Sequence, residues 1–418
     1  MEHGGMQSSV SLPAHGGAAS MNPSRPPPTA STPAEADAIA AAARLLPQVR
    51  AAREECELRR HVPPAMADAL GEAGLLQMLF PRSMGGLELS PLAAFHIVEE
   101  ISRADGSIGW CVMIAGGVSS FAGWLEPDVG RAMAGRPADV RLAGSIRPQG
   151  RARPVDGGYR IEGRWDFASG VNHARWLMAP CMLWDGDKPV RTTAGAPVAR
   201  IFWVPRESAT ILDTWHVVGL RGTGSNDFTV TDVFVPEHRS ALLGSPPKEK
   251  GRLYDPRLHI SCIWSATAAN AMGIARSALD DFIELASARS STMSTALLRD
   301  RPLVQAKVAE AEAILSAARA YVQAAIGDLW ARAGQGQADL DGAIVQARLA
   351  ITHGMHEAVR CVDLIFHAAG TNAVYERNPL ERHFRNIHVA VQHAAGLPAH
   401  MEAAGKVLLG LRPTDPGW

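Results

Sequence analysis

The feature that most constrains this fold is a change of hydrophobic period that happens twice along one chain. From about residue 32 to residue 138 apolar residues recur at helical spacing. From Val140 to about Val235 they alternate, and from Leu258 helical spacing returns and persists. The chain is therefore expected to be mainly α with a central β-domain. Its expected organisation is a disordered tail over 1–31, an N-terminal helical domain over 32–138, a middle β-domain over 139–240 and a C-terminal four-helix bundle over 255–418.

Local signals set the boundaries. The first residues are rich in Ser, Pro, Gly and Ala and bury too little surface to offset the entropy of ordering. Thr32-Pro33-Ala34-Glu35 then combines an N-cap, a first-turn proline and a capping-box glutamate, which predicts a long helix running towards Leu58. Pro63-Pro64 ends it before a short helix with Met66 and Leu70, and Ser90-Pro91 opens another. Asp105-Gly106-Ser107 starts an apolar run over 109–125, shorter than the ~20 residues a membrane span needs, which reads as a buried helix pair or a helix and loop. Strands are expected at 159–167, 176–184, 200–204, 210–217 and 228–235, and long Ala-rich helices at 258–288, 302–333, 343–369 and 380–395.

Composition excludes some partners. With 418 residues and a formal net charge of −1, the chain has ample length for a core and no global field to draw it to nucleic acid or an anionic membrane. The five cysteines, Cys56, Cys111, Cys181, Cys262 and Cys361, are scattered and form no Cys-x-x-Cys pair, so buried reduced thiols in a cytoplasm are expected. Glu2 and the lack of an apolar stretch beside it give no signal-peptide pattern. His353 and His356 share a helix but have no third ligand placed with them, so no metal is expected.

The strand at 159–167 alternates throughout. Tyr159, Ile161, Gly163, Trp165 and Phe167 fall on one face, and Arg160, Glu162, Arg164 and Asp166 on the other. Continuing the period puts Ser169 on the covered aromatic face, where a hydroxyl is costly without a partner, and Gly170 lets the chain turn. An aromatic wall with one hydroxyl at its rim suits a planar heterocycle with a polar edge. The same letters also suit an ordinary amphipathic strand whose serine begins a turn.

The element order and several words in the sequence together resemble the acyl-CoA dehydrogenase fold superfamily. The words are GGLELSP, EEISRADGSIGW, WDFASG, VVGLRGTGSNDFTVTDVFVPE and HAAGTNAVYERNPLERHFRNIHVAVQH. The resemblance implies an N-terminal helical domain, a middle domain of β-barrel or sandwich type and a C-terminal four-helix bundle. It also implies a flavin between the β-domain and the bundle, and a homotetramer whose neighbouring subunits complete the flavin site.

Carboxylates separate the chemistries of that superfamily. A dehydrogenase removes an α-proton from a thioester with a glutamate beside the flavin, after the Arg-Asp pair of the final helix or on the first bundle helix. No Asp or Glu occurs over 256–279 or over 382–401. His393 stands there instead, seven residues after Asn386 and so on the same helical face, with His388 turned about 140° away. This arrangement is similar to the two-component flavin monooxygenases, whose histidine and FASG-like serine flank the flavin and correspond to His393 and Ser169.

That resemblance implies reduced FAD or FMN supplied by a separate reductase, and O2 carried to an aromatic or heteroatom substrate through a flavin hydroperoxide. Ser169 would oppose loss of H2O2, and His393, with an ordinary imidazole pKa near ~6.5, would move the proton. Asn386 departs from the usual Asp of the superfamily. Trp165, Phe167 and Ala168 are expected at the flavin beside Ser169, with Gly370, Thr371, Asn372 and Arg299 on its phosphate or adenine side, Arg299 from the neighbouring subunit. Gly370 also reads as a plain C-cap and Arg299 as a solvated helix-start residue. Trp110, Thr223, Ser225 and Asn226 are expected at the substrate mouth. A dehydrogenase with an unusual base and a non-catalytic flavin-binding protein remain the alternatives.

Overall fold

The structure, a computed structural model, describes residues 32–290 and 295–412; the tail assigned to 1–31 lies outside the described residues. Thr32 Oγ1 accepts from Glu35 N (3.2 Å) and Glu35 Oε2 accepts from Thr32 N (3.1 Å), which starts α1 (Pro33–Arg59). After the double proline comes α2 (Pro64–Glu72), and Ser90 caps α3 (Pro91–Ala104). Glu35 Oε1 also accepts from Ser90 N (3.0 Å), so one glutamate ties the starts of α1 and α3 together. Asp105 caps α4 (Gly106–Ser120) through Ile108 N at 2.8 Å, and α5 (Pro127–Ala134) closes the first helical layer.

The apolar run is α4 continued by a 3-10 turn over Phe121–Trp124. Among the described residues it is the one helical stretch long and apolar enough to cross a membrane, yet 89% of the stretch is buried inside the protein. It packs against α3 and against α6 (His259–Ala288). All five cysteines are buried free thiols.

The β-domain joins ten strands: β1 (Leu142–Gly144), β2 (Gly150–Val155), β3 (Gly158–Trp165), β4 (Trp176–Met178), β5 (Cys181–Asp185), β6 (Lys188–Pro189), β7 (Ala199–Pro205), β8 (Thr210–Leu212), β9 (Asp227–Pro236) and β10 (Ser240–Leu242). The main path runs β1-β4-β7-β5-β2-β3-β9-β8. Three expectations are corrected here. The strand read at 176–184 is two strands broken at Ala179-Pro180, where proline has no N–H for a ladder. The strand read at 210–217 stops at Leu212, because Thr214 N and Trp215 N donate to Asn226 Oδ1 instead of to a neighbouring strand. β3 ends at Trp165 and Phe167 beyond it takes a left-handed backbone (φ +56°), so its alternation does not reach Phe167.

The C-terminal helices are α6, α7 (Pro302–Gly334), α8 (Asp341–Ala369), α9 (Pro379–Ala390) and α10 (Ala399–Leu408), the last unexpected. The helix read to residue 395 ends at Ala390. His393 takes extended backbone (φ −60°, ψ 151°) and caps a 3-10 turn over Ala394–Gly396. The shared helical face of Asn386 and His393 is therefore lost, and the two side chains do different work.

Candidate active site

Where α4, α6, the β3–β4 turn and the segment after α9 converge lies a cavity of about 430 Å³, a size ordinary for small-molecule sites. One wall is α4 read at helical spacing: Trp110, Met113, Ile114, Gly117 and Val118, with Phe121 beyond. Ile263, Trp264 and Thr267 of α6 form a second wall, and Val389, Gln392, His393, Ala394 and Leu397 a third. The β-domain contributes Gly144, Ser145, Ile146, Arg147, Asp166, Phe167, Ser169, Trp215, Leu220 and Ser225. The aromatic surface thus comes more from helices than from the strand face expected to supply it.

The FASG turn is stitched to the 223–226 loop. Ala168 N donates to Asn226 O (3.3 Å) and Gly170 N to Thr223 O (3.0 Å), while Phe167 is held at φ +56° and Gly170 at φ +78°. A non-glycine residue held there is strained and needs such support. The turn leaves the Phe167 ring 62% exposed at the cavity and the Ser169 side chain buried beneath it.

Ser169 Oγ accepts from Trp110 Nε1 (3.1 Å) and lies 2.7 Å from Ser225 Oγ, which lies 2.6 Å from Thr223 Oγ1. Thr223 donates its only hydroxyl proton to Leu220 O (2.9 Å). Each hydroxyl has one proton, so the direction is forced: Ser225 donates to Thr223, and Ser169 donates to Ser225. Ser169 keeps one lone pair for the cavity. The end of this relay is fixed by Asn386, whose Oδ1 accepts from Leu220 N at 2.7 Å while Leu220 is held at φ +49°.

His393 is half-buried, edge-on to Trp110 (centroids 5.6 Å) and to Trp264 (6.3 Å). Its Nδ1 accepts from Ala395 N (3.1 Å), so the neutral ring carries its proton on Nε2, which has no hydrogen-bond partner among the described residues. Burial, and then the nearby His400 imidazole, pushes its pKa down to about 4. The expectation of an imidazole titrating near its ordinary pKa is corrected: at neutral pH this ring is an uncharged Nε2–H donor.

Trp110, Ser169, Ser225, Phe167 and His393 thus meet at one cavity, and the other expected residues do not line it. Trp165 is fully buried in the β-domain core with Ile161, stacked on Phe228 (5.0 Å) with Nε1 bonded to Pro180 O (2.8 Å), because the face of β3 that carries both packs inside the β-domain and not against the cavity. Ala168 is buried in the same core. Thr223 serves the relay, and Asn226 spends its carboxamide oxygen on Thr214 N and Trp215 N, which sets the cavity residue Trp215. Arg299, Gly370 and Thr371 are exposed, and Asn372 half-buried, at helix ends away from these walls. His356 holds a backbone carbonyl, Gly396 O, at 2.9 Å. Of the α4 wall the sequence singled out only Trp110, and the rest of that wall, like Trp264 and Thr267 of α6, carries no signal that separates it from core.

The only carboxylate among the described lining residues is Asp166, paired with Arg147. Its Oδ1 is buried without a hydrogen-bond partner, an acceptor suited to an N–H of a bound heterocycle. With the free lone pair of Ser169 and the aromatic walls, it makes the donor–acceptor set fit a flavin ring.

Buried histidines predict acid sensitivity. His259, 3% exposed, is lowered to about 3 by burial, and His173 is lowered to about 4 by burial and then by Arg141 and His61. These rings stay neutral in the folded protein while the unfolded chain takes up protons below ~6.5, so stability is full above that pH and falls towards pH 4. One fully buried histidine contributes a slope of at most ~1.4 kcal/mol per pH unit. Thermal melts should fall clearly between pH 7 and pH 5, and less steeply in His259→Gln; equal melting points at the two pH values would refute this.

Comparison with known proteins agrees with the fold. The family model described as acyl-CoA dehydrogenase, N-terminal domain, matches residues 33–123, and that for the C-terminal domain matches 265–397. The chain is 33% identical over 372 residues to an indole-3-acetate monooxygenase of Pseudomonas putida, covering 88% of this chain and 92% of the relative. It is 31% identical to the oxygenase subunit HsaA, a flavin-dependent monooxygenase of Rhodococcus jostii, covering 85% and 93%. The solved structure of XiaF from Streptomyces sp. in complex with FADH2 and glycerol superposes with a TM-score of 0.82 at 25% identity, covering 91% of this chain and 97% of that one.

Proposed function

The chain belongs to the flavin-dependent monooxygenases built on the acyl-CoA dehydrogenase fold, and from that premise we propose that His393 and Ser169 are its catalytic pair. The protein is an oxygenase component that takes reduced FAD or FMN from a separate reductase and oxygenates a small aromatic molecule. The observation that carries the assignment of the pair is the meeting of Trp110, Ser169 and His393 at one apolar cavity whose single carboxylate is tied to an arginine.

When bound, reduced flavin supplies the two electrons that activate O2. The protein's own residues do the rest. Ser169, its proton committed to Ser225, offers a fixed acceptor to a ring N–H. His393 presents Nε2–H as a donor to an oxygen in the cavity. Trp110, Phe121 and Trp264 exclude water and hold a flat substrate by stacking. Arg299, Gly370, Thr371 and Asn372 would then serve a flavin only across subunits of a homotetramer.

Indole-3-acetate, named for the Pseudomonas relative, is the first substrate probe. The reconstituted protein, with a flavin reductase, NADH and O2, should hydroxylate an aromatic probe. Anaerobic oxidation of an acyl-CoA with an artificial electron acceptor would overturn the reading in favour of a dehydrogenase.

Ser169→Ala tests the smaller half of the pair. The variant should bind reduced flavin within a few fold of wild type but release severalfold more H2O2 per product, since one hydrogen bond is worth ~1 kcal/mol. An unchanged ratio of product to H2O2 would remove Ser169 from the mechanism.

A further inference from the structure

Three consecutive carbonyls of the turn after His393 are each gripped by a side chain from elsewhere. His400 Nε2 bonds Ala394 O (2.9 Å), Thr352 Oγ1 donates to Ala395 O (2.8 Å) and His356 Nε2 bonds Gly396 O (2.9 Å). Thr352 is 1% exposed and sits with His356 one helical turn apart on α8; His400 belongs to α10. A turn needs no such help to close, because Gly396 N already donates to His393 O (2.8 Å) and Leu397 N to Ala394 O (3.2 Å). What the grips add is orientation. His400 holds the carbonyl of the peptide that aims the Ala395 N–H at His393 Nδ1, Thr352 and His356 hold the next two carbonyls and so the turn that this peptide opens, and the Ala395 bond puts the neutral ring's proton on Nε2.

We propose that Thr352, His356 and His400 are positioning residues for the oxygenation reaction, acting through the Ala395 amide to fix the tautomer and aim of His393. His400 has a second hold on the site, since its ring lies edge-on to Trp264 (5.1 Å), which walls the cavity. The proposal rests on the reading of His393 as the Nε2–H hydrogen-bond donor to an oxygen in the cavity. It gives work to His356, whose neighbour His353 instead lies beside Tyr321 (6.1 Å).

The test is a mutant cycle on the full protein with reductase, flavin, NADH, O2 and indole-3-acetate, following product and H2O2 together. Thr352→Val removes the hydroxyl at nearly constant volume. It should lower kcat for product ~10-fold, the scale of a misaligned catalytic group, and raise H2O2 correspondingly. KM and reduced-flavin affinity should stay within about twofold, and Thr352→Ser should recover most of the loss. In the double variant with His393→Asn, Thr352→Val should cost nothing further, because residues acting as one unit are not additive. Product formation by Thr352→Val within about twofold of wild type, or penalties that multiply in the double variant, would overturn the proposal. Normal product from His393→Asn alone would overturn the underlying reading of His393 instead. Should Thr352→Val fail to fold, the cycle is run with His356→Leu, for which His356→Gln, still a donor, is the rescue.

Discussion

Replacing His393 by alanine should lower product formation by ~10² or more while reduced flavin is still oxidised and H2O2 appears in place of product. The ring is the one side chain at the cavity that combines a neutral donor edge with a fixed tautomer, its Nδ1 being committed to Ala395 N. Alanine also removes the cap of the following turn, so a second variant separates the two roles. In His393→Asn a side-chain oxygen can still cap Ala395 N, but no Nε2–H reaches the cavity. The asparagine variant should melt close to wild type and lose product as alanine does. Because burial holds the wild-type ring near pKa 4, no loss of rate from its protonation is expected between pH 8 and pH 6. Product from His393→Asn close to the wild-type level would show that the residue only caps a turn.

Asn386→Leu should destabilise the protein by ~1–3 kcal/mol and uncouple it as well, because it leaves the buried Leu220 amide without its acceptor. Leu220 is held in the left-handed region, and its carbonyl receives both Thr223 Oγ1 (2.9 Å) and Trp215 Nε1 (3.0 Å). Gly219 is pressed against Arg385 O, where an added Cβ would lie 2.2 Å away. Loosening this corner moves the end of the relay that orients Ser169. Asn386→Asp keeps an acceptor oxygen and should retain most of both stability and coupling. Chemical unfolding and the ratio of product to H2O2 measure the two effects; a leucine variant unchanged in both would show that the corner holds itself.

The elements written in local chemistry were legible in the sequence. Thr32, Ser90 and Asp105 each cap the helix they announce, since a cap needs only neighbours. Ser169 stood out as a hydroxyl beside an apolar strand, and its burial against Trp110 and Ser225 gives it the partners it needs. Trp165 keeps the covered face that its alternation with Ile161 predicts, but what covers that face is the β-domain's own core, Phe228 of β9 included, which the letters of β3 do not contain. The end of α9 was missed for a related reason: Val391 and Gln392 are compatible with helix, and the extended conformation of His393 goes with grips from α8 and α10. Asn386 could be recognised as a departure from the pattern of the superfamily, but its role depends on Leu220, 166 residues earlier.

Transfer of one atom of O2 to an organic substrate is tested most directly by turnover under 18O2. Chemically reduced FAD or FMN is mixed with the protein, indole-3-acetate and 18O2, and the product is weighed by mass spectrometry. One 18O atom per product molecule, lost when His393 is replaced by asparagine, is the result predicted. Oxidised product without 18O would contradict it.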